Sequence, residues 1–507
     1  MLFGLTNNQR IFLSFILFGL ALGTCERPQR DQPKETILVN IADRLTISTD
    51  EFIRRAEYTI RPPYCNGDSY LHKKIVLNSL IAEKLMALEA GPDHPLLKNE
   101  AFQLFLKGRK EQAMRQWMYH QEATRKVSVD STEIKKYFRF AGREYEVAYY
   151  SLSDSSALSR FRTILATGKN AFEQFYQQIY SDTSIPKRKV IWHHAENPAI
   201  LRALFARERH KGEVLPPIEI DKNEYVILKI LGWTDTKVIT NAQIQQRFQS
   251  IHDYLANEMA SNIWQRRVAE IMAGKTVHFN EPIFWKLNQL FFEHFFKPSE
   301  DLKNMIQQQI WDVEPDLAPA LDHLTEQDLL RQPFLTVDGT MWTVGDFRKE
   351  LMSHPLVFRE RHFPAAAFAR QFRLAVIDLI RDRYVTQEAY RQGYDRVNIV
   401  QRNEQMWRDA YLALEQKNAL LQAINQDRNF EKHYLQMISD HLNHYVDSLQ
   451  QKYHKKVRLD FDEFERIHLS SIDLYVTQKS QPYRMVVPRF PTLTTIHSIE
   501  YIERLKK

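Results

Sequence analysis

The chain has 507 residues, 44% of them hydrophobic, with a net charge of +6, two cysteines and only 14 glycines. That length calls for several cores, about two to four domains, and the apolar content is enough to fill them. Neither a G-x-x-x-x-G-K-[ST] loop nor a G-x-G-x-x-G turn is present, which excludes the common nucleotide-binding loops. The positive charge is spread along the chain without the basic stripe that nucleic-acid binding needs.

The first informative element is the apolar run "IFLSFILFGLAL", Ile11 to Leu22, which follows Arg10. It is too short to cross a bilayer core of ~30 Å and has the length of a signal-peptide h-region. Leu22-Gly23-Thr24 directly precedes Cys25. That order resembles a bacterial lipobox, in which the cysteine carries lipid, with Thr24 departing from the usual Gly, Ala or Ser. Lipidation at Cys25, plain cleavage and release, and an uncleaved anchor are the three fates this segment allows. With Cys25 lipidated, Cys65 has no partner, so a disulfide scaffold is excluded.

After a tether over 26–35 the pattern becomes mostly helical. Val39 lies in a short extended unit, Ser48-Thr49-Asp50-Glu51 forms a capping box, and a helix follows from Phe52. "LHKKIVLNSLIAEKLMALEAG" predicts a helix with Ile75 or Val76, Leu80, Leu85 and Leu88 near one face and Gly91 at its end. A third helix carries Phe102, Phe105, Met114, Trp117 and Met118, and Asp130 to Glu133 cap a fourth that ends near Phe138. From Ile244 the series Phe248, Ile251, Leu255, Met259, Ile263, Val268 and Ile271 predicts one core-facing stripe. A further long helix runs from Met406 past Trp407 and Tyr411, breaks between Asn425 and Asn429, and continues to Leu449.

Much of the first unit comes round again. "PFLTVDGTMWTVGDFRKEL" repeats the strand, turn, cap and helix, and Leu379-Ile380 and Glu388-Ala389 match Leu80-Ile81 and Glu89-Ala90. A second echo sets "GKTVHFNEPIFWKL" beside "KKVRLDFDEFERI", aligning Phe284 with Phe464. Two related halves are expected, the first carrying an insert.

The insert carries a family resemblance. "REYEVAYYSLSD" is similar to the first strand of parvulin-type prolyl isomerases, and "SSALSRFRTILATGKNAFEQFYQQIYSDTS" to the two helices that follow. Trp192 stands for the Trp-bearing strand, and "NPAILRALFARERHKGEVLPPIEIDKNEYVILKI" resembles the last helix and hairpin. Val39 to Arg125 resembles the helical region of envelope foldases of the SurA, PrsA and PpiD types. This resemblance implies an α+β, mostly helical fold: SurA/PrsA-like chaperone lobes, one inserted parvulin-like α/β domain and long connecting helices. The implied division is a signal peptide and lipobox over 1–25, the tether, a helical lobe over 36–140 and a parvulin-like domain over 141–236. A connecting helix and strand (237–290), a second lobe (291–400) and C-terminal helices with a strand (401–507) complete it.

Parvulins twist a prolyl amide in an apolar pocket with a polar floor that includes two histidines, against a barrier of ~18–20 kcal/mol. Carried over residue by residue, those histidines fall on Tyr149 and Val226, the position after Ser181-Asp182 is Thr183, and a pocket Phe or Met becomes Ile200. The resemblance therefore implies ancestry without catalysis. His193 and His194 are adjacent, and on a strand they point to opposite faces, so they do not line one pocket.

Other constellations are weaker. His441 and His444 with Asp440 and Asp447 read as the polar edge of an amphipathic helix, without H-E-x-x-H. Asp460 and Asp462 read as the outward face of a half-buried strand. Cys65 lies in a turn-like loop without a nucleophile signature. The expected function is a periplasmic, lipid-anchored foldase or chaperone in the bacterial envelope. Its partners are unfolded or nascent envelope proteins, it meets the membrane through lipid on Cys25, and it needs no cofactor, metal, nucleotide or nucleic acid. An active prolyl isomerase and a structural subunit of an envelope complex are the alternatives.

Overall fold

The computed structural model describes residues 35–152, 155–165, 171–180, 184–192, 196–221, 224–237, 239–295, 327–359, 363–424, 430–469 and 482–505. Cys25, the signal segment, Thr183, His193, His194 and the break expected at 425–429 lie outside them. The fold is α+β and mostly helical, with three small sheets.

The chain opens with strands β1 (Ile37–Ile41) and β2 (Leu45–Ser48), then helices α1 (Thr49–Glu57), α2 (Tyr70–Ala90), α3 (Glu100–Glu122) and α4 (Ser131–Phe138). The middle sheet follows as β3 (Arg143–Leu152), α5 (Ser155–Leu165), α6 (Ala171–Tyr180), β4 (Lys187–Ile191), α7 (Pro198–Phe205), β5 (Ile218–Asp221) and β6 (Glu224–Asp235). Its strand order is β4-β3-β6-β5, antiparallel throughout. Helix α8 (Asn241–Met272) leads to β7 (Val277–Phe279), α9 (Glu281–Phe295), β8 (Pro333–Val337), β9 (Thr340–Thr343), α10 (Val344–Ser353) and α11 (Phe368–Arg391). The rest is α12 (Asn398–Ala423), α13 (Phe430–Met437), α14 (Asn443–Tyr453), β10 (Val457–Leu459), α15 (Phe461–Arg466), an irregular tail from 482, and β11 (Glu503–Arg504).

Strand β1 is paired on both sides, by β2 and by β10 from the far end of the chain, with Val39 opposite Ile47 and Leu459. Lobe 1 is thus closed by C-terminal residues. Lobe 2 repeats this plan with β7-β8-β9, α9, α10 and α11. The hydrogen bonds correspond one to one. Asp460 N–H donates to Leu38 O at 2.9 Å and Asn280 N–H to Phe334 O at 2.8 Å. Ala42 N–H donates to Lys456 O at 2.7 Å and Asp338 N–H to Thr276 O at 3.0 Å. Ser48 and Thr343 cap α1 and α10 through the N–H groups of Glu51 and Asp346. The aligned pairs Leu80-Ile81, Leu379-Ile380 and Phe284, Phe464 are all buried.

Two readings of helix faces change. Every residue of α2 from Ile75 to Ala87 is buried, so α2 is a central helix rather than a one-faced one. The α8 series is not one stripe, because Ile244, Phe248 and Met259 are 37%, 36% and 41% exposed. Instead Ile251, Tyr254 and Leu255 pack on the middle sheet, while Ala260 and Trp264 pack on a cluster shared with α3 and α11. One long helix therefore serves two cores. Between α3 and α10 the approach is closer still: a Cβ on Gly108 would lie 1.8 Å from Ser353 O, so only glycine fits there.

A helix buried all round must satisfy its polar groups internally. Glu83 takes a bidentate pair from Arg55 at 2.6 and 2.7 Å, and Arg55 also donates to Arg489 O at 2.7 Å. Lys84 sits between Asp409 (2.9 Å) and Glu51 (2.8 Å), all three buried. Burial pulls the Lys84 amine down, but Asp409 and Glu51 outweigh it and hold the amine charged. Asn78 donates to the carbonyls of Ile496 (2.9 Å) and Ser498 (2.7 Å), fastening the tail to α2. Removing one partner strands buried charge, so Lys84→Met is expected to cost about 3–5 kcal/mol, read as a lower urea midpoint.

Lobe 2 has its own buried acid, Asp382, two residues beyond its aligned Leu-Ile pair, as lobe 1 has Glu83. Asp382 accepts from Arg381 Nε (2.9 Å) and Tyr483 OH (3.3 Å), and faces His354 Nε2 at 3.2 Å. Burial acts to raise its pKa, but the His354 contact and the charges of Arg115 and Arg381 dominate and hold it far below the usual carboxylate range. A depressed folded pKa adds stability above the unfolded value of ~3.9 that is lost as pH falls below it. Thermal midpoints between pH 7 and pH 3 should therefore fall less steeply in Asp382→Asn than in the wild type.

Candidate functional site

The middle sheet has two covered faces, set by strand alternation. Ala148, Tyr150 and Leu152 face α5 and α6 with Ile227. Tyr145, Val147, Val226, Leu228 and Ile230 face α7 and α8, with Tyr149 packed at the edge of the same cluster. The turn before β5 is pinned by polar contacts: Glu213 accepts from Arg209 (2.7 Å) and from His210 N–H (3.0 Å), and Gly212 has φ 82°. That turn holds α7 against β6 through the Leu215 N–H bond to Leu228 O at 2.8 Å.

Three of the four positions singled out in the sequence come together here. Tyr149 is opposite Leu228 and Val226 opposite Ser151, so Tyr149 and Val226 are diagonal neighbours on one face. Ile200 reaches that face from α7. Ile200 and Val226 are 3% and 5% exposed, which makes them core residues rather than the lining of an open pocket. Thr183 lies outside the described residues.

What closes the face comes from beyond 141–236. Trp192 packs against Tyr137 of α4, Tyr254 of α8 and Phe205, with ring centroids 4.9 to 5.6 Å apart. Its indole N–H donates to Ser250 at 3.2 Å, and Tyr254 OH donates to Pro198 O at 3.0 Å. Over Tyr149 lies the Arg188 guanidinium, 5.5 Å from the ring centroid and paired with Glu196 at 2.7 Å. Ile200 and Val226 offer only methyl groups, and Tyr149 a ring and one hydroxyl. Among its described residues the cluster supplies burial without an imidazole or thiol to polarise an amide. Tyr137 and Tyr254 were missed in the sequence because they fall outside the insert; the one available signal was Tyr254, three residues after Ile251.

The weaker constellations resolve structurally. Asp460 is not on an outward strand face: it caps α15 by accepting from Glu463 N–H at 3.1 Å, and Asp462 is a helix residue that pairs with Arg504. His441 lies in a π-helical turn, Ile438–Leu442, and His444 on the helix after it. No group of three His, Cys, Asp or Glu among the described residues is placed to hold a metal ion. Burial pushes the Cys65 thiol up to about 12, partly offset by Arg61, which leaves it a poor nucleophile at neutral pH.

Elsewhere, an open cleft of about 430 Å³ separates the start of α3 from α10, lined by Ala101, Leu104, Met352 and the heads of Arg348 and Lys349. No described helix is long and apolar enough to cross a membrane. Comparison with protein-family models finds no match, and comparisons with curated proteins and with solved structures find none.

Because Ile200 is sealed, Ile200→Asp should act on stability: a buried unpaired carboxylate is expected to lower the melting temperature sharply at pH 7. The loss should shrink toward pH 4, where the carboxyl protonates, which differential scanning calorimetry at both pH values would read.

Proposed function

We propose that this chain is an exported foldase of parvulin ancestry that works as a chaperone and not as an isomerase. The observation that supports ancestry is the order strand, two helices, strand, helix, hairpin over β3 to β6, with Trp192 beside the second strand. It is the order the sequence resemblance implies. The observation that supports loss of catalysis is the filling of the sheet face: Ile200, itself on α7, and Val226 are buried in a cluster shared with α8, where an isomerase needs an accessible polar floor. The two related lobes around this unit are the parts left to hold a client. Attachment through lipid on Cys25 would keep the protein at the envelope membrane, and unfolded or nascent envelope proteins are the clients that location offers.

Exposed apolar side chains fit that role. Trp285 and Met341 of lobe 2 are 54% and 61% exposed, enough to give weak, exchangeable contacts to unfolded chains. Two measurements on the mature protein test the reading. In a protease-coupled proline assay it should leave the uncatalysed rate unchanged, and with an unfolded β-barrel client it should suppress light scattering at stoichiometric ratio. Isomerase acceleration, or scattering unaffected by the protein, would contradict the proposal.

A further inference from the structure

The two lobes differ in one place that their shared plan makes conspicuous. In lobe 1 the outer edge of β10 is taken by the chain's own C-terminus. Glu503 and Arg504 run parallel to Arg458 and Leu459, and Leu505 N–H donates to Leu459 O at 2.8 Å. Under that cover Val457 and Leu459 are 0% exposed. Lobe 2 has the counterpart strand, β7, as the outer strand of its sheet, with no strand beyond it among the described residues.

The register says which groups are left. The ladder to β8 uses Thr276 O and Asn280 N–H, with His278 opposite Thr336. In an antiparallel pair the bonding residues alternate, so the N–H and C=O of Val277 and Phe279 point away from β8. Their counterparts Val457 and Leu459 are the residues that β11 covers. Val277 and Phe279 are half-buried and His278 is exposed.

The flanking helix differs in the same sense. In lobe 1 Arg504 of the inserted strand bonds Asp462 at 3.3 Å and lies over the Phe461 ring. By the aligned phenylalanines, α9 carries Glu281 and Pro282 at those positions, and Glu281 is already paired to Arg373. One turn further Trp285 stands exposed, where lobe 1 has Glu465 accepting from Tyr70. Lobe 2 thus has Pro282 and Trp285 where lobe 1 has the acids Asp462 and Glu465, and the paired Glu281 where lobe 1 has Phe461.

We infer that the outer edge of β7 is a strand-addition site: an extended, apolar polypeptide segment adds to it parallel to β7, bonding the main chain of Val277 and Phe279 and resting a side chain on Trp285. Main-chain bonding makes such a site tolerant of sequence, and Trp285 favours segments without charge there. Only a few bonds form on so short an edge, so binding is weak and reversible. That the segment belongs to an unfolded client rests on the chaperone reading; the open edge itself rests on the repeat.

The test uses the mature full-length protein and a fluorescein-labelled peptide of alternating Val and Thr, followed by anisotropy. Val277→Pro removes one outward N–H and leaves the β7–β8 bonds in place, as proline is tolerated on a strand edge. It should weaken binding about five- to tenfold, Trp285→Ala should weaken it about threefold, and a peptide N-methylated at every residue, which has no donor on either edge, should not bind. Should Val277→Pro disturb lobe 2, the N-methylated peptide and Trp285→Ala still decide. Equal binding of both peptides overturns the site, as does binding that neither variant changes. A dimer abolished by Val277→Pro, without peptide binding, would assign the edge to a second copy and overturn it too. Aggregation suppression that Val277→Pro leaves intact would refute the site while sparing the chaperone reading.

Discussion

Lobe 1 depends on the double pairing of β1. Val39 meets Ile47 eight residues away in the hairpin and Leu459 from the opposite end of the chain. The first pairing is local and the second has to wait for nearly the whole chain, since closing so long a loop is entropically costly. The buried charges on and against α2 share this dependence: Lys84 meets Asp409 on α12, and Arg55 of α1, the partner of Glu83, meets the carbonyl of Arg489. Asn78 and Lys84 of the central helix therefore find these partners only when the last part of the chain is in place.

Lobe 2 solves the same problem with residues closer in sequence, β7 preceding β8 rather than following by a long route. The two solutions share cap, register and bulge, and each buries an acid at the matching place on its long helix, Glu83 and Asp382. They part at the outer edge, where one lobe uses its own tail and the other offers Val277, Phe279 and an exposed Trp285.

Local chemistry was legible in the sequence. Caps at Ser48, Asp130 and Thr343, the end of α2 at Gly91 and the hairpin of Lys211 to Trp233 lie where residue types require them. The weak internal match also corresponds to a shared hydrogen-bond pattern, because strand register and capping constrain a few positions strongly and leave the rest free. What was not legible depends on tertiary partners. Nothing in "IVLNSLIAEKLMALEA" announces that Asn78, Glu83 and Lys84 are buried, since their partners lie in α1, α12 and the tail. Ile200 and Val226 were readable as apolar, but their burial comes from Tyr137 and Tyr254 outside the insert. Asp460 failed as a strand residue because one residue of shift turns a strand end into a helix cap, a boundary that pattern alone does not resolve.

The equivalent strands β10 and β7 differ in that β10 is covered by the chain itself, while β7 has no strand beyond it among the described residues and is proposed to take up a client segment. Amide hydrogen exchange at Leu459 and Phe279, with and without an unfolded β-barrel client, tests this most directly. Exchange at Leu459 is expected to be slow in both states, and exchange at Phe279 fast alone and slowed by the client. Equal protection at the two amides without client, or no change at Phe279 on adding it, would contradict the claim.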